Sequence, residues 1–420
     1  MNNINYFSLR IYSMKNAEYD FTTIMDRHGK DAIALDGVGK LDGFAPEAPG
    51  GGFDVIPMWV ADMNFPTAPS IISAVQERLS HPAFGYFMPS DEYYNSIIRW
   101  MKERHNFTGI EKENIGYENG VLGGVASALG VMCSRGDKIL VHSPVYIGFT
   151  SLLENNGYCA VHSPLKKDDD GVWRMDYEDM ERKIRDNSIH TAIFCSPHNP
   201  CGRVWRRDEL EKAFEIFKKY DVQVISDEIW SDIILDNNVH IPSQTVSDDA
   251  KMRTVSFYAP SKTFNLAGLI GSYHIIFNKT LRDRIDKEAS LSHYNSMNVL
   301  SMHALIGAYK DEGMRWVDEL CAVLGENVDF AVNYINNNFD GVSVSKPEGT
   351  YMLYLDCEKW CKENGCTLEE LERRGWRVGV AWQDGAMFKR PYTIRMNLAL
   401  PLSRVKEALK RLDTYVFNKE

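Results

Sequence analysis

An α/β fold with a mostly parallel central sheet is what this chain predicts, on two observations. From about residue 65 onward, short β-rich apolar runs alternate with amphipathic helical stretches, the pattern of strands joined by crossover helices. In addition, the polar residues Asn199, Asp227 and Lys262 each fall just after such a run. In sheets of this kind ligands bind beyond the carboxyl ends of the strands, so a site is expected there.

The strand candidates are "KILVHSPV" (138–145), "TAIFCSP" (191–197), "VQVISDE" (222–228) and "TVSFYAPS" (254–261), each ending in small, polar or proline residues. Helical spacing is clearest in "RRDELEKAFEIFKKY" (206–220), where Leu210, Phe214 and Phe217 share one face. "SMHALIGAYKDEGMRWVDELCAVLGENVDFAVNYINNN" reads as a long helix broken near Gly313. After it, "GVSVSKPEGTYMLYLDC" (341–357) and the pieces ending in "PYTIRMNLAL" suggest a smaller α+β domain. The expected division is an N-terminal segment (1–63) belonging to the small domain, a large domain (64–305) and a C-terminal small domain (306–420).

Composition narrows the class. Apolar residues make up 44% of the 420 and charged residues 25%, a globular balance. A net charge of −11 argues against a broad nucleic-acid surface. No apolar run reaches the roughly 18–20 residues of a membrane span, and the first residues lack a secretory apolar region. A cytoplasmic protein without membrane or nucleic-acid partners is the expectation. Cys357, Cys361 and Cys366 lie close together but lack paired C-x-x-C spacing and a nearby histidine, so no metal site is expected.

Five features could carry chemistry, and each has an ordinary alternative. Lys262, in "APSKTFNLAGL", is the only formally charged residue between Arg253 and Lys279. Burial would lower its pKa and make it a nucleophile toward carbonyls; otherwise it snorkels to the surface. "SPHNPCGRVW" (196–205) can present the Asn199 amide on a rigid turn, or be merely a structural loop, and His198 beside a proline is a poor general-base candidate. Asp227 in "VISDEIWSD" can hold a cation or a protonated ring nitrogen, or simply cap a helix; Glu228 and Asp232 read as solvated or structural. "ENGVLGGVASALG" (118–130) offers a helix amino terminus suited to phosphate, or glycine-based close packing; it is neither G-x-G-x-x-G nor a P-loop. Arg395, inside the apolar run "YTIRMNLAL", can clamp a carboxylate or close an internal salt bridge.

Taken together, an anion cradle, an amide, a carboxylate, an amine and a guanidinium meet the needs of pyridoxal 5′-phosphate (PLP) and an amino-acid substrate. With "IPMWVADMNFPTAP" (56–69), "FGYFMPSDEYYNSI" (84–97), "SPHNPCGRVW", "SDEIWSD", "APSKTFNLAGL" and "RMNLALP" in this order, the chain resembles the fold-type I PLP-dependent enzymes of aminotransferase class I/II. The resemblance runs from about residue 20 to the end. It is closest to the cystathionine β-lyase (C–S lyase) and maltose-regulon modulator branch.

The resemblance implies roles. Lys262 would attach PLP covalently and act as general base, Asp227 would pair with the pyridine nitrogen, and Asn199 would bond the phenolic oxygen and help bind substrate. Tyr146 would stack on the ring, Val121 and Leu122 would offer backbone amides to the phosphate, and Ser261 completes the cofactor-binding set. Tyr86 would reach the phosphate of a neighbouring subunit, implying a homodimer with shared sites. Arg395 would clamp the substrate carboxylate.

Some positions depart from the wider pattern. Ala259 stands where a phosphate-binding serine or threonine is usual, Leu269 where an arginine is usual, and Trp230 where many aminotransferases have tyrosine; Leu400-Pro-Leu-Ser replaces C-P-R-S. The implied reaction is β-elimination from L-cystathionine or related cysteine conjugates, with transamination as the alternative on the same residues. A regulatory protein-binding role is a reading of another class.

Overall fold

The computed structural model describes residues 17–41, 44–291 and 295–417. Its central sheet contains β1 (Ile115–Glu118), β2 (Lys138–Ser143), β3 (Cys159–Pro164), β4 (Thr191–Cys195), β5 (Gln223–Asp227), β6 (Thr254–Tyr258) and β7 (Ser272–Ile275). Their spatial order is β1-β7-β6-β5-β4-β2-β3. Strands β3, β2, β4, β5 and β6 run parallel. Only β7 is reversed, pairing antiparallel with both β6 and β1. The four sequence-predicted strands correspond to β2, β4, β5 and β6.

The sheet is buried on both faces because successive side chains point to opposite sides. Leu140, Ala192, Phe194 and Val224 pack with Leu210, Phe214 and Phe217 of a helix on one face. Ile139, Val141, Ile193, Ile225 and Val255 pack with Val125, Ala128 and Leu129 on the other. The helices concerned are α1 (Gly120–Met132), with α2 (Ile147–Asn155) beside it, and α3 (Arg207–Lys219) opposite. Because β1, β2, β4, β5 and β6 point the same way, Asn119, Tyr146, Asn199, Asp227 and Lys262 emerge from one edge.

A second, antiparallel sheet has the order β8 (Ser343–Val344), β9 (Met352–Asp356), β11 (Thr393–Asn397), β10 (Gln383–Asp384). Ile56–Pro57 pairs in parallel with Val380–Ala381 next to it. The chain after this pairing is pinned by β11: Asn397 Nδ2 donates to the Val60 and Asp62 carbonyls, both at 2.6 Å. Residues 59–62 therefore lie between the small sheet and the lysine loop.

The expected long helix is two, α4 (Val299–Ala308) and α5 (Asp311–Asn338). The break falls at Tyr309–Lys310, not at Gly313, which lies inside α5. Gly313 serves close approach instead: a Cβ there would sit 1.8 Å from the Ala308 carbonyl oxygen. The last helix before β10 is α6 (Leu368–Arg377). No helix among the described residues is long and apolar enough to cross a membrane.

Candidate active site

A cavity of about 250 Å³ at the strand ends is lined by Gly120, Val121, Leu122, Tyr146, Asn199, Asp227, Ser261 and Lys262. Thus seven sequence-selected residues meet in one place, with Gly120 beside them. Arg395 and Tyr86 are not among the lining residues, and they differ from one another. Arg395 is buried and connects through Asn199, whose Oδ1 lies 3.5 Å from its Nη1. Tyr86 is fully exposed, away from the cavity of its own chain.

Lys262 sits on a four-residue helical turn, Pro260–Thr263, directly after β6. Its Nζ donates to the Ala61 carbonyl at 2.8 Å. Burial, reinforced by the Arg395 charge, lowers the amine to about 8, against the opposing pull of Asp62 and Asp227. The lysine does not snorkel away; a sizeable fraction is neutral near physiological pH.

Asp227 ends β5 and is buried. One oxygen accepts the Ile229 N–H at 3.0 Å, the local capping bond that its position after a strand allows. That bond does not offset desolvation: burial raises the carboxyl to about 7, with Glu228 adding to the rise and Lys262 opposing it. A buried acid in this state is suited to receive a cationic N–H.

Glu228 and Asp232, read from sequence as solvated or structural, are both buried and fully engaged. Glu228 accepts from Ser226, Ser243, Ser256, His240 and Tyr258. Asp232 accepts from Trp100, His105 and Thr263. They are structural, and the solvated alternative is removed.

At the cradle, Gly120 has φ +76°, a conformation that favours glycine, and it turns the chain from β1 into α1. Asn119 makes no side-chain cap, so the first N–H groups of α1 remain for an anion. The Asn119 N–H is itself held by Asn295 Oδ1 at 2.7 Å.

Arg395, in mid-β11, decides between its two readings. Among the described residues no carboxylate pairs with it; Nη2 donates to the Trp59 carbonyl at 3.1 Å, and buried Nε has no partner. Burial lowers it to about 10. A buried guanidinium with spare donors fits an incoming carboxylate better than an internal salt bridge.

Sequence reasoning assigned no role to Ala61 and Tyr351, although Ala61 lies inside a motif it singled out. The Ala61 carbonyl takes both the lysine amine and, at 3.2 Å, the Tyr351 hydroxyl. Trp230 is buried edge-on against Tyr351, ring centroids 4.7 Å apart, and also lines the cavity.

An amine, a carboxylate, an amide, a helix amino terminus and an unpaired guanidinium at the switch edge of a parallel sheet define a site for PLP chemistry on an amino acid. The chain belongs to the aminotransferase class I and II family, whose model matches residues 54–412. It is 33% identical over 390 residues to cystathionine beta-lyase PatB of Bacillus subtilis, covering 92% of this chain and 97% of that protein. Identity to protein MalY of Escherichia coli is 30% over 401 residues, covering 94% and 98%. A solved structure, the PLP-bound C–S lyase from Staphylococcus hominis, superposes with a TM-score of 0.86 at 30% identity, covering 95% of this chain and 98% of that one.

The residues present fit PLP. Among the described residues no ion pair joins buried Asp227 or partly buried Lys262 to a counter-ion, and the uncapped α1 terminus lines the same cavity and could take the phosphate.

Proposed function

We propose that this chain is a PLP-dependent carbon–sulfur β-lyase that converts L-cystathionine, or a related cysteine thioether, and water into a thiol, pyruvate and ammonia. The observation that carries the reading is the shared cavity of Lys262, Asp227 and Asn199, backed by the unpaired Arg395. It is supported by the β-lyase relatives, which extend over nearly the whole chain.

When bound, PLP supplies an electron sink that stabilises negative charge at the substrate Cα. Lys262 would hold the cofactor, and its free amine, lowered to about 8, would take the Cα proton. Asp227 would pair with the pyridine N–H, a cationic neighbour that favours its ionised carboxyl. Asn199 would bond the phenolic oxygen, and Tyr146 would cover the ring. Arg395 receives the substrate α-carboxylate with its spare donors, orienting Cα toward Lys262.

The N–H groups of Val121 and Leu122, with Ser261, would hold the phosphate, since Ala259 and Leu269 offer no polar side chain. Tyr86 adds a contact to the site of the partner in a homodimer. Supporting this, Phe84, Tyr86 and Met88 form an exposed apolar run, costly to leave in water. The eight cysteines are all free thiols, in keeping with a reducing cytoplasm.

Supplied with L-cystathionine and no keto acid, the enzyme should release thiol, pyruvate and ammonia in equal amounts over many turnovers. One amino-group transfer per site, with no thiol, would assign it to transamination instead.

A further inference from the structure

A second cavity, about 480 Å³, lies between residues 39–41 and 44–48, α6 and β10, with Trp59 in its wall. Trp59, Trp376 and Trp382 line it, as do Glu372, Gln383 and Asp384. We propose that it binds an organic cation, an aliphatic primary ammonium or guanidinium group.

The acceptors there are in excess. Glu372 is only 8% exposed, and no ion pair joins it or Asp384 to any cation among the described residues. The nearby Arg373 is committed to Glu47 at 3.5 Å and Glu369 at 3.0 Å. Lys40, at the exposed mouth, pairs with neither carboxylate. Among the described residues the Asp384 backbone N–H donates to Glu372; burial and the Asp384 charge push Glu372 up to about 8, and the Arg373 charge only partly opposes them.

Indole donors do not relieve the excess. Trp59 Nε1 donates to the Ala34 carbonyl, Trp376 Nε1 to the Trp382 carbonyl, and Trp382 Nε1 to the Glu372 carbonyl. Among the described residues, buried Gln383 Oε1 has no hydrogen-bond partner. Two under-neutralised carboxyls, an orphaned amide oxygen and aromatic walls are a donor-poor cage. An alkylammonium ion supplies what is missing: donors, positive charge and an apolar stem.

The cavity is tied to the catalytic region. The Trp59 carbonyl holds Arg395 Nη2, and Gln383 sits opposite Arg395 in the β10–β11 pairing. Two sources could supply the cation: a free amine, or the distal ammonium of a bound thioether substrate. The second source rests on the lyase reading; the first does not.

The test uses holoenzyme and its Glu372→Gln and Asp384→Asn variants, each verified as folded by its melting curve. Cadaverine and agmatine are titrated calorimetrically, with 1-pentanol as the uncharged control. KM is measured in parallel for L-cystathionine and for S-methyl-L-cysteine, which lacks a distal ammonium. A free-amine site gives one cadaverine or agmatine per chain, bound at least tenfold more weakly by either variant. A substrate-end site gives a tenfold or greater KM rise for L-cystathionine alone. Equal binding of 1-pentanol, or no difference between wild type and both variants in either assay, overturns the proposal. Amine binding that both variants weaken, in a wild-type protein with no lyase activity, would sink only the function reading.

Discussion

Asp232 Oδ2 accepts a hydrogen bond from Thr263 Oγ1 at 2.9 Å, so the loop after β5 grips the residue next to Lys262. The same carboxylate accepts from Trp100 at 3.0 Å and His105 at 2.9 Å, and lies 3.3 Å from Arg104 Nε. These partners hold it well below the ordinary carboxylate range, at about 2. Asp232→Ala would leave Arg104 without its buried counter-ion and cost about 3 kcal/mol or more in denaturant unfolding. Thr263→Val should cost about 1 kcal/mol. Both should weaken PLP retention on dialysis, because both loosen the lysine turn. Unchanged retention in the two variants would mean that the turn holds its place without this bond.

The acid–base state of Asp227 gives a pH prediction for the cofactor-free protein. Burial raises its carboxyl from 3.8 to about 7, so between those values the folded chain keeps a proton that the unfolded chain has lost. Its contribution to stability is complete below the lower value and is lost as pH rises through the upper one. Asp227→Asn removes this dependence. The melting-temperature difference, variant minus wild type, should therefore grow from about pH 4 to about pH 7 and then level off. A difference that is flat across this range contradicts the assignment.

Arg395→Lys keeps the charge but removes the planar fork and shortens the reach. Losing charge-assisted hydrogen bonds of about 1.5–3 kcal/mol each should lower kcat/KM by about 10–100-fold, chiefly through KM. The PLP absorption band should be unaltered. A wild-type KM in this variant would remove Arg395 from substrate binding.

What was readable in the sequence follows from strand topology. Lys262, Asp227 and Asn199 each follow an apolar run whose end the parallel sheet brings to one edge, so their convergence could be argued before any coordinates. Arg395 was readable as a lone cation in a buried strand. The Ala61 carbonyl was not, because a backbone acceptor has no side-chain signature and is placed by Asn397 from the other sheet. Asp232 stayed open between a solvated and a structural role for a related reason: its partners Trp100, His105 and Thr263 are distant in sequence and meet only after folding. The helix break was misplaced because Gly313 is needed for space against Ala308, not for a turn.

The proposed sharing between subunits rests on Tyr86, whose ring is fully exposed in the single chain. Tyr86→Phe should weaken PLP retention without altering the fold. Mixing inactive Lys262→Ala with a PLP-deficient Tyr86→Ala chain should restore activity, because a mixed dimer contains one site with both wild-type residues. No recovery after demonstrated subunit exchange, or full activity in a monomer, contradicts a shared site.

The central claim is that Lys262, lowered to about 8 by burial, is the amine that carries the cofactor and the reaction. Borohydride reduction of the holoenzyme, followed by proteolysis and mass spectrometry, tests it most directly. The predicted result is a pyridoxyl group fixed on Lys262, at one per chain, and absent from Lys262→Ala. A pyridoxyl group on another lysine, or undiminished labelling of the Lys262→Ala protein, would contradict it.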